Sequence, residues 1–304
     1  MAINTLEYAK IFQTELDKKI EEQLTSAWMD SNAGQVKYTG GDEVKIPKIS
    51  LVGLGNYDRD AGFKQGSVTL SYETMKLTQD RGRTFQLDSQ DVDETNFVAS
   101  AGMVMGEFQR TQVVPEVDAY RYAKIYEKAK TDHSSTYTAT AKDIIDKLEA
   151  DIATVQDKVG DNEPLVICMN RKVHALLNNA EGIQKYINVG DFNNGFVSTK
   201  VKIFNDVPIL DVPSARFKTA YTFNAGDTAD KGGFEAASGA LEMNWIIIAR
   251  RAAIAVVKTD KIRIFAPDVN QKADAWKIDY RKYHDLWVKD NALDGIMVNV
   301  PAAT

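Results

Sequence analysis

Residues 83 to 129 form the longest helix-like stretch of the chain, and a rod of that length dictates what can pack around it. Asp91 followed by Glu94, among the carboxylates Asp88 and Asp93, reads as a capping box with acids beside the positive end of the helix dipole. Phe97, Ala101, Val104 and Phe108 then recur at steps of three and four, while Glu107, Arg110 and Thr111 fall off that stripe, so one face is apolar. Pro115 interrupts the phase, and Val117, Tyr120 and Ala123 resume it, which predicts one kinked rod or two abutting helices. About 30 helical residues at ~1.5 Å each give a rod roughly 45 Å long, more than the diameter of a small domain. Gly102 and Gly106 are two costly choices inside a helix. They mark either a close crossing of another backbone or two tolerated glycines in an ordinary core helix.

The rest of the chain supplies material for a folded body. Of 304 residues, 44% are hydrophobic and 26% charged, the balance of an ordinary globular protein with a real core. Cys168 is the only cysteine, so no intrachain disulfide forms, which suits a reducing compartment. The first residues mix acids and lysines with no apolar core of signal-peptide length, so no export signal is expected. The most apolar run, residues 245 to 257, is cut by Arg250 and Arg251 and is too short to span a bilayer. A formal charge of −6 argues against a dedicated nucleic-acid binder, whose affinity comes from clustered Lys and Arg.

Residues 5 to 28 carry Leu6, Ile11, Phe12, Leu16, Ile20, Leu24 and Trp28 at near-helical spacing. This amphipathic arm needs a partner surface, its own domain or another subunit. Residues 42 to 79 read as a long two-stranded hairpin, with Val44, Ile46, Ile49 and Leu51 mirrored by Val68, Leu70, Tyr72, Met75 and Leu77. Its tip, Gly53 to Gly66, is glycine-rich and charged. Two strands bury too little to stand alone in water, so the hairpin lies on its own domain or on a neighbour. Thr140 to Val159 predicts a helix capped by Thr140 and ended by Gly160, followed by a buried strand, Leu165 to Met169, and a short helix capped by Asn170. Residues 179 to 199 and 225 to 233 read as loops. Short strands are expected at 200–204, 207–212, 245–248, 252–257 and 261–265. Trp276, Ile278, Tyr280, Leu286 and Val288 share one parity, and Ile296, Val298 and Val300 complete a C-terminal hairpin after the turn at 290–295.

No chemistry converges in this pattern. His133, His174 and His284 sit in different segments without zinc-ligand spacing, and Cys168 lies in an apolar run where a free thiol behaves as a small hydrophobe. His284 and Asp285 are consecutive on a strand and project to opposite faces. Gly53 and Gly55 lack the third glycine and the helix of a phosphate loop. The expectation is a protein that is not an enzyme and has no cofactor or metal. Asp80, Arg81 and Arg83, a mixed-charge cluster at the hairpin base, read either as a solvated turn or as ion pairs to a neighbouring subunit, and their position beside hairpin and helix favours the second.

Residues 87 to 125, LDSQDVDETNFVASAGMVMGEFQRTQVVPEVDAYRYAKI, resemble the spine-helix region of tailed-bacteriophage major capsid proteins, which have the Hong Kong 97-type (Johnson) fold. WKIDYRKYHDLWVKDNALDGIMVNV near the C-terminus and VPILDVPSARF at 207 to 217 are similar to further segments of that family. The resemblance implies an α+β chain with an N-terminal arm (1–38), an extended β-hairpin loop (39–87), a peripheral domain with the spine helix (88–140 and 267–304) and an axial domain (141–266). It implies self-assembly through hexamers and pentamers into an icosahedral head of a virion, built in the host cytoplasm around double-stranded DNA held without specific contacts. Implied partners are a separate scaffolding protein, a portal protein and, in some members, a decoration protein; no membrane is involved. Contacts between subunits are then expected from Tyr57, Arg59, Phe63 and Lys64 in the hairpin tip, Asp80, Arg81 and Arg83 at its base, and Leu6 and Phe12 in the arm. Some members weld subunits by lysine–asparagine bonds. Lys64 sits in a place where such a lysine can be imagined, yet no partner asparagine is identified, and no weld is expected. Two other readings stand beside this one, an encapsulin-type compartment of the same fold and an α+β enzyme with an unrecognised site.

Overall fold

A computed structural model describes residues 23–35, 43–60, 62–88, 97–183, 187–194, 197–227, 231–270 and 272–302. The arm positions Leu6 and Phe12 and the capping pair Asp91 and Glu94 lie outside the described residues. In chain order, a 3-10 segment Ala27–Gln35 leads to strands β1 (Glu43–Leu51), β2 (Val68–Lys76) and β3 (Gln79–Asp88). Helix α1 (Phe97–Phe108), a π turn (Gln109–Val113) and α2 (Val114–Ala129) follow, then β4 (Ser134–Thr136), α3 (Ile144–Val159), β5 (Leu165–Asn170) and α4 (Arg171–Asn178). Next come β6 (Ile187–Asn194), β7 (Val197–Phe204), β8 (Val207–Val212), β9 (Tyr221–Phe223), β10 (Phe234–Ala236) and β11 (Trp245–Ala249). β12 (Ala253–Phe265), β13 (Ala275–Val288) and β14 (Ile296–Val300) close the chain.

The rod is one continuous helix from Phe97 to Ala129, about 50 Å at ~1.5 Å per residue. Pro115 neither breaks nor ends it. The preceding turn is widened, the Val114 N–H bonding to the Gln109 carbonyl five residues back, and Pro115 falls in the first turn of α2, where its missing N–H matters least.

A seven-stranded mixed sheet, in the order β4-β14-β11-β5-β8-β7-β6, holds the main core. β5 and β11 are buried along their whole length, so both faces of this sheet are covered. Ile144, Leu148, Ile152 and Val155 of α3 and Tyr122, Ile125 and Ala129 of α2 belong to that core. A three-stranded antiparallel sheet, in the order β12-β13-β3, packs Ile278 and Tyr280 of β13 and Phe85 and Leu87 of β3 against Met105, Val113 and Val117 of the rod. A third cluster joins Val44, Ile46, Met75 and Leu77 of the β1–β2 ribbon to Ile254, Val256 and Trp287.

Several expectations change. The hairpin between 276–288 and 296–300 does not form: β13 lies between β12 and β3, while β14 pairs with β11 and β4 in the larger sheet. All five residues of β14 are buried, and Asn299 among them finds its partners only there, donating to Asp151 and Ser135 and accepting from Asn244. The strands expected separately at 252–257 and 261–265 are one strand, β12, with a register shift between Val257 and Thr259, and it joins β13 rather than the larger sheet. Residues 179 to 199, read as a loop, contain β6, a sheet-edge strand whose Asn and Asp content disguised it; Phe192 anchors it under the Arg250 guanidinium. α3 begins at Ile144 rather than at Thr140, whose hydroxyl donates to the Asp143 carboxylate instead of to a helix N-terminus. Asn170 does cap α4, its side chain accepting from the Lys172 N–H at 3.0 Å.

The end of the expected arm folds onto its own chain. Asp118, fully buried on α2, accepts from the Ser26 N–H (3.1 Å) and hydroxyl (2.6 Å), the Thr25 N–H (3.2 Å) and hydroxyl (3.0 Å), and Arg216 (3.2 Å). One turn on, buried Arg121 reaches both oxygens of Asp30 and the Ser26 carbonyl. Trp28 is thereby fixed in the main core with none of its surface exposed. Because breaking one side of a buried charged network strands the other, Asp118→Ala is expected to cost about 3–5 kcal/mol of stability, and Asp118→Asn less. Urea unfolding of the purified protein checks this.

Candidate assembly interface

β1 and β2 pair without a bulge from Glu43–Lys76 to Leu51–Val68. On a ribbon, residues directly opposite share a face and successive residues alternate. Val44–Met75 and Ile46–Glu73 therefore lie on one face, and Pro47–Tyr72, Ile49–Leu70 and Leu51–Val68 on the other. The sequence reading placed Val44, Ile46, Ile49 and Leu51 in one alternating strand, but the step from Ile46 to Ile49 changes parity. The first face packs at its base on β12 and β13. The second is exposed from end to end, with Ile49 62%, Leu51 70% and Val68 69% accessible.

At the tip, Asp58 and Gly62 form an isolated bridge that brings the rings of Tyr57 and Phe63 to 4.9 Å. Phe63 is 90% exposed, and Leu54, Arg59 and Lys64 are exposed around it.

The base is held by polar groups that periodicity does not reveal. Buried Asp285 on β13 accepts from the Thr78 N–H (2.8 Å), the Thr78 hydroxyl (2.9 Å), the Tyr120 hydroxyl (2.6 Å) and the Leu286 N–H (2.7 Å). One carboxylate thus ties the end of the ribbon to the rod. Burial, and then the charge of Asp285, push the Tyr120 phenol up, so it stays protonated and donating. The Tyr283 hydroxyl donates to the Leu77 carbonyl at 3.2 Å, and Lys48 reaches Asp290 at 3.1 Å. The hydrogen bond from Lys48 holds Asp290 below the usual carboxylate range, while burial raises nearby Glu73.

The charged cluster at the base makes contacts within the chain. Arg81 forms a two-pronged pair with Glu116 on the rod, at 2.7 and 3.2 Å, and donates to the carbonyls of Asn224 and Gly233 in the loop between β9 and β10. Asp80 pairs with Arg281 across the strands, and that contact holds Asp80 below its ordinary range. Arg83 lies against the same loop, where Gly226 and Gly232 both have positive φ and a Cβ on Gly226 would stand 2.9 Å from the Arg83 Nη1. Asp80, Arg81, Arg83 and Glu116 line a cleft of about 570 Å³ together with Lys231, Lys282 and His284.

The groups weighed for catalysis sit in settings that quiet them. Burial pushes the Cys168 thiol up to about 12, so it is not a thiolate near neutral pH. Burial, with Lys282, Arg121 and Arg81 facing it, drives His284 well below its ordinary value, and its ring packs edge-on against Tyr120. His174 is paired with Asp211, between α4 and β8.

Removing the Asp285 carboxylate takes the acceptor from four donors, two of them in buried contacts, at ~1–3 kcal/mol for each left unsatisfied, whereas the Asp80–Arg281 pair is exposed and screened by solvent. Asp285→Ala is expected to speed limited proteolysis near residues 77–79 by tenfold or more, since ~1.4 kcal/mol is a factor of ten. Asp80→Ala should leave the cleavage rate within about fivefold, because an exposed ion pair contributes little.

No protein-family model matches the sequence, and no curated protein matches it. Solved structures do. The mature capsid of bacteriophage PhiM1 superposes with a TM-score of 0.59 at 14% identity, over 87% of this chain and 83% of that one. The capsid of cyanophage P-SCSP1u gives 0.60 at 13% identity over 88% and 86%. The SrpI encapsulin complex of Synechococcus elongatus gives 0.52 at 10% identity over 86% and 82%. At these identities the likeness is one of architecture, and it extends over most of each chain. The ribbon, the rod and the two sheets together are the Hong Kong 97-type capsid fold.

Proposed function

We propose that this chain is the major capsid subunit of a tailed bacteriophage, assembling through hexamers and pentamers into an icosahedral shell that encloses double-stranded DNA. The observation that carries the reading is the ribbon. Nine of the fourteen large hydrophobic side chains exposed among the described residues lie between Ile49 and Tyr72. A monomer that left such a patch in water would be an aggregation hazard, and a subunit surrounded by neighbours is not. The fold's resemblance to phage capsids supports the rest of the proposal. The work of such a protein is interface formation rather than catalysis. Tyr57, Arg59, Phe63 and Lys64 are the tip residues proposed to touch a neighbour, with Arg83 at the base and Leu6 and Phe12 in the arm; Asp80 and Arg81 would do so while keeping their contacts within the chain. A scaffolding protein, a portal and a decoration protein are proposed partners, and the virion is the proposed location.

A second reading is an encapsulin-type compartment, which the SrpI likeness favours. Nuclease treatment of purified particles followed by extraction separates the two: genome-length protected DNA supports the phage head, and a co-purified protein cargo without DNA supports the compartment. Deleting residues 54 to 65 is expected to leave a folded, soluble subunit that forms no shells in negative-stain micrographs. Normal particles from that deletion would refute the role assigned to the hairpin.

A further inference from the structure

One side of α4 lines a pocket that the shell reading leaves without a role. Arg171, His174, Ala175 and Asn178 recur at steps of three and four, so they share one side of the helix, while Val173 and Leu177 belong to the main core. On β7, Lys202 is paired directly across from Ile209 of β8, and Asp211 stands two residues beyond Ile209, so these three side chains share a face of the sheet. The two sets line one pocket of about 460 Å³.

His174 is 6% exposed there. Its Nδ1 pairs with Asp211, and because a carboxylate only accepts, Nδ1 carries a proton. Its Nε2 is buried with no hydrogen-bond partner among the described residues, a state that native structures rarely leave unfilled. Lys202 donates to the Asn178 side-chain oxygen at 2.6 Å, a neutral partner that leaves its charge uncompensated. Arg171, on the rim, makes no ion pair among the described residues, and Asp211 is the only carboxylate among those lining the pocket.

We propose that this pocket binds a tetrahedral oxyanion of the sulfate or phosphate class, which accepts from the His174 Nε2–H, the Arg171 guanidinium and the Lys202 ammonium. The assignment is independent of the shell reading. Two cations beside Nε2 repel a metal ion, and donors arriving from a helix and a strand suit an ion with oxygens in four directions better than a planar carboxylate. With one proton already on Nδ1, a hydrogen bond from Nε2 requires the second, so the bound form is the imidazolium, with Asp211 on one nitrogen and the oxyanion on the other.

Equilibrium dialysis of the purified protein against radiolabelled sulfate should give saturable binding. Arg171→Met and Lys202→Met should each weaken it by about tenfold or more, the loss expected for one charge-assisted hydrogen bond. Lys172→Met removes the same charge one residue along the helix, outside the pocket, and should change binding by less than about twofold. Acetate should displace the sulfate about tenfold less well than phosphate does. No saturable binding, binding indifferent to both pocket substitutions, or acetate equal to phosphate would overturn the assignment. Solid-state NMR of the parent protein carrying isotope-labelled histidine gives a readout that no variant's folding can disturb. The chain has only His133, His174 and His284, and sulfate should move the Nε2 resonance of His174 to an imidazolium position while the other two stay in place. A His174 Nε2 that is unmoved in saturating sulfate would overturn the assignment as well.

Discussion

A two-stranded ribbon has no interior. Its strands satisfy half of each other's backbone groups and bury almost none of their side chains, so whatever apolar residues it carries must be covered by something else. Here the base solves the problem within the subunit, by packing on β12 and β13 and by the Asp285 contacts. The outer half does not: beyond Lys48 no side chain of the ribbon is buried among the described residues. The same chain therefore contains a body with its own core and a projection whose outer apolar side chains are uncovered within the subunit. The proposed assembly rests on that asymmetry.

For a projection to act on a neighbour, its root must be stiff, and the structure concentrates polar contacts there. Asp285 joins β13, Thr78 and the rod, Arg81 joins β3, the rod and the β9–β10 loop, and Asp118 with Arg121 joins the rod to the segment before β1. All four of these residues involve the rod, Asp285 and Arg81 from other elements and Asp118 and Arg121 on the rod itself, so the helix is the common reference for ribbon, sheets and N-terminal segment. Buried charged groups contribute more through geometry than through net energy, since each holds its partners in one arrangement. A long helix with a widened turn at Gln109–Val113 supplies the length without a break at Pro115.

Periodicity made much of this legible. The apolar stripe at Val117 and Tyr120 and much of the alternation from Trp276 to Val288 report burial, while the two runs flanking Gly53 to Gly66 report strands of which only the base is buried. Pairing partners were less accessible, because β13 and β14 read as neighbours in sequence and only a buried Asn299, needing Asp151, Ser135 and Asn244, sends β14 to another sheet. β6 was hidden because an edge strand tolerates Asn, Gly and Asp that an interior strand would not. The candidate site was half visible. Its glycine-rich, charged tip is legible in composition, whereas the anchors Thr78, Tyr120 and Asp285 lie far apart in sequence and carry no local pattern; Arg81 is conspicuous for its charge, but its contact with Glu116 has no signature in the sequence.

The central claim is that the outer ribbon is completed only by another copy of the chain. Amide hydrogen exchange over residues 47 to 72, compared between dissociated subunits and assembled particles, addresses it most directly. The account predicts rapid exchange in the subunit and strong protection in the particle, with residues of β5 and β11 protected in both. Equal protection of 47 to 72 in a stable isolated subunit would contradict it.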